Sequence, residues 1–136
     1  MSRIALFILL VFTFFLTPVM AMDIENGLKV DEVVICTGIE EKAPAGINTQ
    51  FFESQERLYC YSRISGAAPP DTITHVWIFG EEEKARVRLP VKSASWRTWS
   101  SKRMMASWSG AWRVEIEDNG GRVLAVREFI YKPVEE

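Results

Sequence analysis

The sequence predicts an all-β protein: a single small antiparallel β-sandwich of about seven strands, immunoglobulin-like or similar, carried behind a signal peptide. Three observations point there. Short segments alternate apolar and polar residues, as half-buried strands do. Clusters of Gly, Pro, Asn and Asp separate them at roughly ten-residue spacing. Outside the first residues, only Ser101 to Ser107 offers anything like a helical apolar stripe, and Gly110 soon follows it.

The elements run in order from the N-terminus. Met1-Ser2-Arg3 is a short positive start, and Ile4 to Leu16 is an apolar run broken only by Thr13. Val19-Met20-Ala21 then presents small or medium side chains where a signal peptidase reads an A-x-A-like site. The run is shorter than the roughly 20 residues a membrane helix needs. Residues 1–21 therefore read as a cleaved signal peptide, with an uncleaved anchor as the alternative, residues 22–29 as a polar lead-in and residues 30–132 as the sandwich domain. From Val30, apolar residues fall on both faces (Val33, Ile35 and Ile39 against Val34 and Cys36), which suits a strand buried on both sides. Glu40 to Gln55 reads as a loop, because Ala43-Pro44-Ala45-Gly46 breaks regular structure.

Arg57 to Ser65 is the next strand, with Leu58, Cys60, Ser62 and Ile64 on one face and Tyr59, Tyr61 and Arg63 on the other. A Gly- and Pro-rich turn leads to Thr72–Phe79, which is β-branched and aromatic. Ala85–Val91 alternates cleanly, and Pro90 assigns it to a sheet edge or a strand end. Ser95–Arg103 is extended. Trp112, Val114 and Ile116 alternate with Arg113, Glu115 and Glu117, and Asp118-Asn119-Gly120-Gly121 turns the chain into a last strand, Arg122–Tyr131.

Composition narrows the function. The 136 residues carry a formal net charge of −2, which argues against a nucleic-acid partner, and export removes the chain from most nucleic acid. The mature chain holds no further segment long enough to span a bilayer. Cys36 and Cys60 lie in apolar strand-like runs. In an oxidising compartment they read as a disulfide, worth roughly 3 kcal/mol in the chain-entropy picture; a free buried pair is the alternative. One His and two Cys without CxxC spacing do not make a zinc site, so no metal or other cofactor is expected.

The unusual residues gather between positions 75 and 112. All five Trp and the single His fall there: His75, Trp77, Trp96, Trp99, Trp108 and Trp112. Basic residues interleave with them in Trp96-Arg97-Thr98-Trp99-Ser100-Ser101-Lys102-Arg103. Odd spacing sends Trp96 and Trp99 to opposite faces of one strand. Trp77, Trp112 and Trp96 suit a core. Trp99 and Trp108, with polar neighbours, suit exposure, where they could stack on a sugar or planar group while Arg97, Lys102 and Arg103 hold an anionic one. His75 read as a general base would make a hydrolase-like enzyme, but no G-x-S-x-G elbow accompanies it. A hydrogen-bonded structural His is the plainer reading.

Several segments, taken in order, resemble the bacterial family called domain of unknown function 2914. They are Leu58–Ile64, Thr74-His75-Val76-Trp77, Val87–Val91, Trp96–Lys102 and Gly110-Ala111-Trp112-Arg113-Val114-Glu115. The resemblance implies one domain, of a kind found in exported or membrane-attached bacterial proteins, and no established activity. It marks His75, Trp77, Trp96, Arg97, Ser100, Lys102 and Trp112 as motif positions, and leaves open whether they serve fold or function.

The resulting expectation is a periplasmic or secreted, non-catalytic binding or accessory domain of the cell envelope. Its partner would be a protein or a polysaccharide, met at Trp99, Trp108, Arg97, Lys102 and Arg103. The alternatives are the His75 enzyme and an accessory domain whose aromatic residues are all core.

Overall fold

Alternate side chains of strands such as Gly110–Glu117 turn toward a shared core, and that alternation sets how the layers meet. A computed structural model describes residues 27–134; the signal-peptide segment lies outside the described residues. Ten strands form there: β1 (Lys29–Cys36), β2 (Gly38–Glu40), β3 (Ala43–Ala45), β4 (Gln50–Phe52), β5 (Arg57–Ser65), β6 (Asp71–Phe79), β7 (Glu82–Val91), β8 (Ser95–Arg103), β9 (Gly110–Glu117) and β10 (Val123–Lys132). A single 3-10 turn, Ala106–Trp108, is the only helical element among the described residues. It overlaps only the end of Ser101–Ser107, the one helical candidate the sequence offered, whose first residues belong to β8.

Two layers, antiparallel except where β4 meets β10, make the sandwich. One sheet has the order β1-β5-β8; the other has the order β4-β10-β9-β6-β7. Its inner faces supply Val33, Ile35, Leu58, Cys60 and Ile64 from the first sheet, and Ile73, Trp77, Trp112, Val114, Ile116, Phe129 and Tyr131 from the second, all in one apolar cluster. Phe129 sits at the centre of its aromatic part. Trp112 stacks on it at 5.9 Å between centroids, while Phe51 and Trp77 meet it edge-on at 6.0 and 6.2 Å. Such pairs are worth about 1 kcal/mol each beyond the area they bury. Pro90 lies in β7, the edge strand of its sheet, where its missing N–H leaves no central ladder bond unmade.

The loop expected over Glu40 to Gln55 instead holds β3 and β4 and the end of β2. Glu41 and Lys42 both take positive φ (49° and 63°) between the paired residues Glu40 and Ala43. That is the two-residue hairpin geometry that matches strand twist, formed here without the usual Asn or Gly. β4 then joins the second sheet beside β10 in parallel, Tyr131 opposite Phe51. A parallel contact across so much sequence leaves no local pattern to read.

The disulfide expectation is corrected. Cys36 and Cys60 are both free and buried. Their strands do pair, but Ile35 stands opposite Cys60 and Cys36 opposite Tyr59. One step of register places the thiols on opposite faces of the same sheet: Cys60 faces the core, and Cys36 faces the β2–β3 hairpin, where the backbone of Gly38 and Ala45 hydrogen-bonds it.

Candidate functional site

His75 projects from β6 into the space between the sheets and is fully buried. Across from it, Ser62 pairs with Thr98 and Cys60 with Ser100. Ser62 and Ser100 are thus diagonal neighbours on one face, at positions whose Cα atoms lie about 7–8 Å apart. An imidazole bonded at both nitrogens fits between them: His75 Nε2 is 3.0 Å from Ser62 Oγ and Nδ1 is 2.7 Å from Ser100 Oγ. Ser62 Oγ donates to the Thr98 carbonyl oxygen at 3.3 Å, and Trp77 Nε1 donates to Ser100 Oγ at 3.1 Å.

These contacts form one directed chain. Each hydroxyl has a single hydrogen. Ser62 spends its hydrogen on Thr98, so it accepts from His75 Nε2–H; Nδ1 is then unprotonated and accepts from Ser100, which in turn accepts from Trp77. The ring is neutral, and burial holds its pKa down to about 4. No buried side-chain nitrogen or oxygen among the described residues lacks a partner. The network ties the two sheets together. His75 is fully buried and lines neither of the two clefts described below. The network absorbs three of the motif positions: His75, Trp77 and Ser100.

The outer face of the β1-β5-β8 sheet is different in kind. Trp96 and Trp99 do fall on opposite faces of β8: Trp96 packs half-buried against the core, opposite Ile64, and Trp99 is half-buried outside, opposite Tyr61. Trp96 and Trp99 line a cleft of about 580 Å³ with Lys42, Arg63, Arg97, Ser93 and Ser95. No acidic side chain lines it. Lys42 comes from the tip of the β2–β3 hairpin, a contribution the sequence reading missed because it took that segment for a loop. Arg63 and Arg97 stand directly opposite each other across the β5–β8 ladder, an arrangement that destabilises a sheet when both residues are cations. The same ladder ends in a second such pair, Arg57 opposite Arg103.

The predicted Trp99 and Trp108 surface is divided. Trp108, on the 3-10 turn, borders a separate cleft of about 620 Å³ with Lys102, Arg103, Met104, Met105, Tyr131, Glu53 and Glu56. Lys84 and Lys102 place their ammonium groups 4.9 and 4.8 Å from the Trp108 ring centroid. Partial burial, then the charges of Lys84 and Arg57, hold Lys102 below the ordinary lysine range. Trp112 donates Nε1–H to the Trp108 carbonyl oxygen at 2.8 Å, fixing the turn to the core. The even-odd step again explains the split: Trp96, Thr98, Ser100 and Lys102 share the inward face of β8, while Arg97, Trp99, Ser101 and Arg103 share the outward one. The described residues hold no cluster of three or more metal-ligating side chains and no helix long and apolar enough to cross a membrane.

An all-β sandwich with a cross-sheet Ser–His–Ser bridge and a cation-lined cleft is the class these features define. Residues 70–130 match the family described as protein of unknown function (DUF2914), so the resemblance carried by the His75, Trp96–Lys102 and Trp112 motifs holds over that stretch; Leu58–Ile64 lies outside it. No curated protein matches the sequence. Thirty-seven chains of solved structures match. One is a β-glucosidase from Listeria innocua crystallised with isofagomine, 12% identical, covering 78% of this chain and 16% of that one, at a TM-score of 0.42. The chain thus spans a small part of that enzyme's length, and a likeness at that level bears on no function here.

Proposed function

We propose that this chain is a non-catalytic binding domain of the bacterial cell envelope, exported to the periplasm or beyond, and that it meets a glycan or protein partner at the Trp99 cleft. The observation that carries the reading is the make-up of that cleft: Trp96 and Trp99 beside Lys42, Arg63 and Arg97, with no acidic side chain in its lining. An aromatic face offers stacking area at little conformational cost, and guanidinium groups hold oxygen-bearing partners by paired hydrogen bonds. Export rests on the N-terminal pattern of a basic start, an apolar run and Val19-Met20-Ala21. The motif residues His75 and Ser100 bond each other inside the sandwich.

The test is an array of glycans and envelope fractions probed with the processed protein, its Trp99→Ala variant and its Arg97→Ala variant. Binding that falls at least tenfold in both variants supports the cleft; binding equal in all three removes it. Mass spectrometry of the exported protein reports whether the chain begins at Met22.

A further inference from the structure

We infer that the ligand of the Trp99 cleft is an acidic polysaccharide, with an anionic group of the sugar held between Arg63 and Arg97 and a sugar ring lying on Trp99. This rests on the reading that the cleft is the binding surface.

The charge pattern carries the inference. Arg63 and Arg97 face each other on one side of the sheet. Glu32, reaching Arg63 from β1 at 3.8 Å, compensates only one of them. Arg97 and Lys42 form no ion pair among the described residues. The chain is not short of acids, with 18 against 16 bases. On the outer face of the other sheet those acids are spent on pairing: Arg86 with Glu83 and Glu117 at 2.8 and 2.9 Å, Arg113 with Glu115 at 4.0 Å. On that face Arg86 and Arg113 are matched by acids, whereas at the cleft only Arg63 is, through Glu32. Arg63 and Arg97 stand opposite each other on adjacent strands and both line the cleft, and a guanidinium group's fork of N–H donors suits a carboxylate or a sulfate. Trp99 and Trp96 border the same cleft, and Ser93 and Ser95 add hydroxyl groups. A sugar acid matches all three: an oxyanion for the arginines, a C–H face for the indole, hydroxyls for the serines. A bare acidic peptide would match the charges and leave the aromatic face without a distinct role.

The experiment titrates the processed protein by calorimetry at low salt with four probes: an oligogalacturonate, a sulfated oligosaccharide, a neutral dextran oligosaccharide and polyglutamate. One or both acidic sugars are expected to bind at least tenfold more tightly than dextran and polyglutamate, with affinity falling as salt rises. Arg97→Gln, Arg63→Gln and Trp99→Ala are each expected to weaken that binding at least tenfold. Arg97→Glu is expected to abolish binding while its melting temperature stays level or rises, because it turns a like-charge pair into an opposite-charge one; this keeps loss of binding separate from loss of fold. Dextran binding that survives Arg97→Gln and fails in Trp99→Ala overturns the anion assignment and leaves the cleft standing. Polyglutamate binding as tight as the best sugar overturns the polysaccharide assignment. Acidic-sugar binding indifferent to all three substitutions overturns both readings, and no binding of any sugar overturns the inference.

Discussion

His75 Nδ1 lies 2.7 Å from Ser100 Oγ, the same hydroxyl that accepts Trp77 Nε1–H at 3.1 Å, so a single serine terminates donors and acceptors from the facing sheet. Its neighbour Ser62 closes the other side of the ring at 3.0 Å. The bridge spends its polar groups on one another, and its direction of donation leaves room for one protonation state only.

That state makes stability depend on pH. The folded-state pKa of His75 is lowered from 6.5 to about 4, so between these values the unfolded chain binds a proton that the folded one refuses. The stabilisation is fully present above pH 6.5, declines as pH falls toward 4 and levels off below it, a loss of about 3 kcal/mol from this one group. Denaturant unfolding across that range checks it. The stability gap between the native sequence and His75→Gln should narrow as pH falls from 6.5 to 4; a constant gap would show that the ring is not held neutral.

The two serines should differ in consequence. Ser100→Ala strands both Trp77 Nε1–H and His75 Nδ1 in the core, and an unpartnered buried group costs about 1–3 kcal/mol. A loss of about 3 kcal/mol is expected. Ser62→Ala strands His75 Nε2–H and gives up a long hydrogen bond to a strand carbonyl, so about 2 kcal/mol is expected. Thermal or urea unfolding of both variants decides the order, and a reversed order would contradict the donation chain.

Burial raises the pKa of both thiols, Cys60 the more strongly, and their register forbids a bridge without moving a strand. Protein purified without reductant should keep the mass of two free thiols. It should resist iodoacetamide while folded and take up two equivalents in denaturant. A mass short of two hydrogens would mean that β1 has slipped against β5.

Gly46 follows the hairpin that carries Lys42. Its φ is +71°, and a Cβ there would lie 2.0 Å from Thr37 Oγ1. Gly46→Ala should therefore cost about 2 kcal/mol, since left-handed backbone and a steric clash coincide. It should also weaken binding at the Trp99 cleft without touching a residue that lines it. An unchanged melting temperature would argue that the hairpin is not seated as described.

Much of the sandwich was legible in residue pattern alone. The faces of Arg57–Ser65 and of Trp112–Glu117 were assigned as the structure has them, because a pleat alternates whatever it packs against. Alternation places Ser62 on the face of Leu58, Cys60 and Ile64 and gives no partner for its hydroxyl there. His75 stood in register with Trp77, yet nothing in either segment said that Ser62 and Ser100 would receive it. The structure sets Trp99 and Arg97 on one face of β8 and Trp108 beside a separate cleft, a division that parity along β8 could not give for a turn beyond its end.

By itself the sequence determined the faces of strands such as Arg57–Ser65 and Trp112–Glu117, the turn at Asp118–Gly121, the restriction of Pro90 to a sheet edge or a strand end, and the pool of aromatic and basic residues, because each follows from backbone geometry over a few neighbouring residues. Only the tertiary structure decided which strands pair and in what register. A one-residue step separates Cys36 from Cys60, sets Arg63 against Arg97 and brings Ser62 and Ser100 to His75. Such long-range choices come from how whole layers fill the space between them, and no local stretch of chain contains that information.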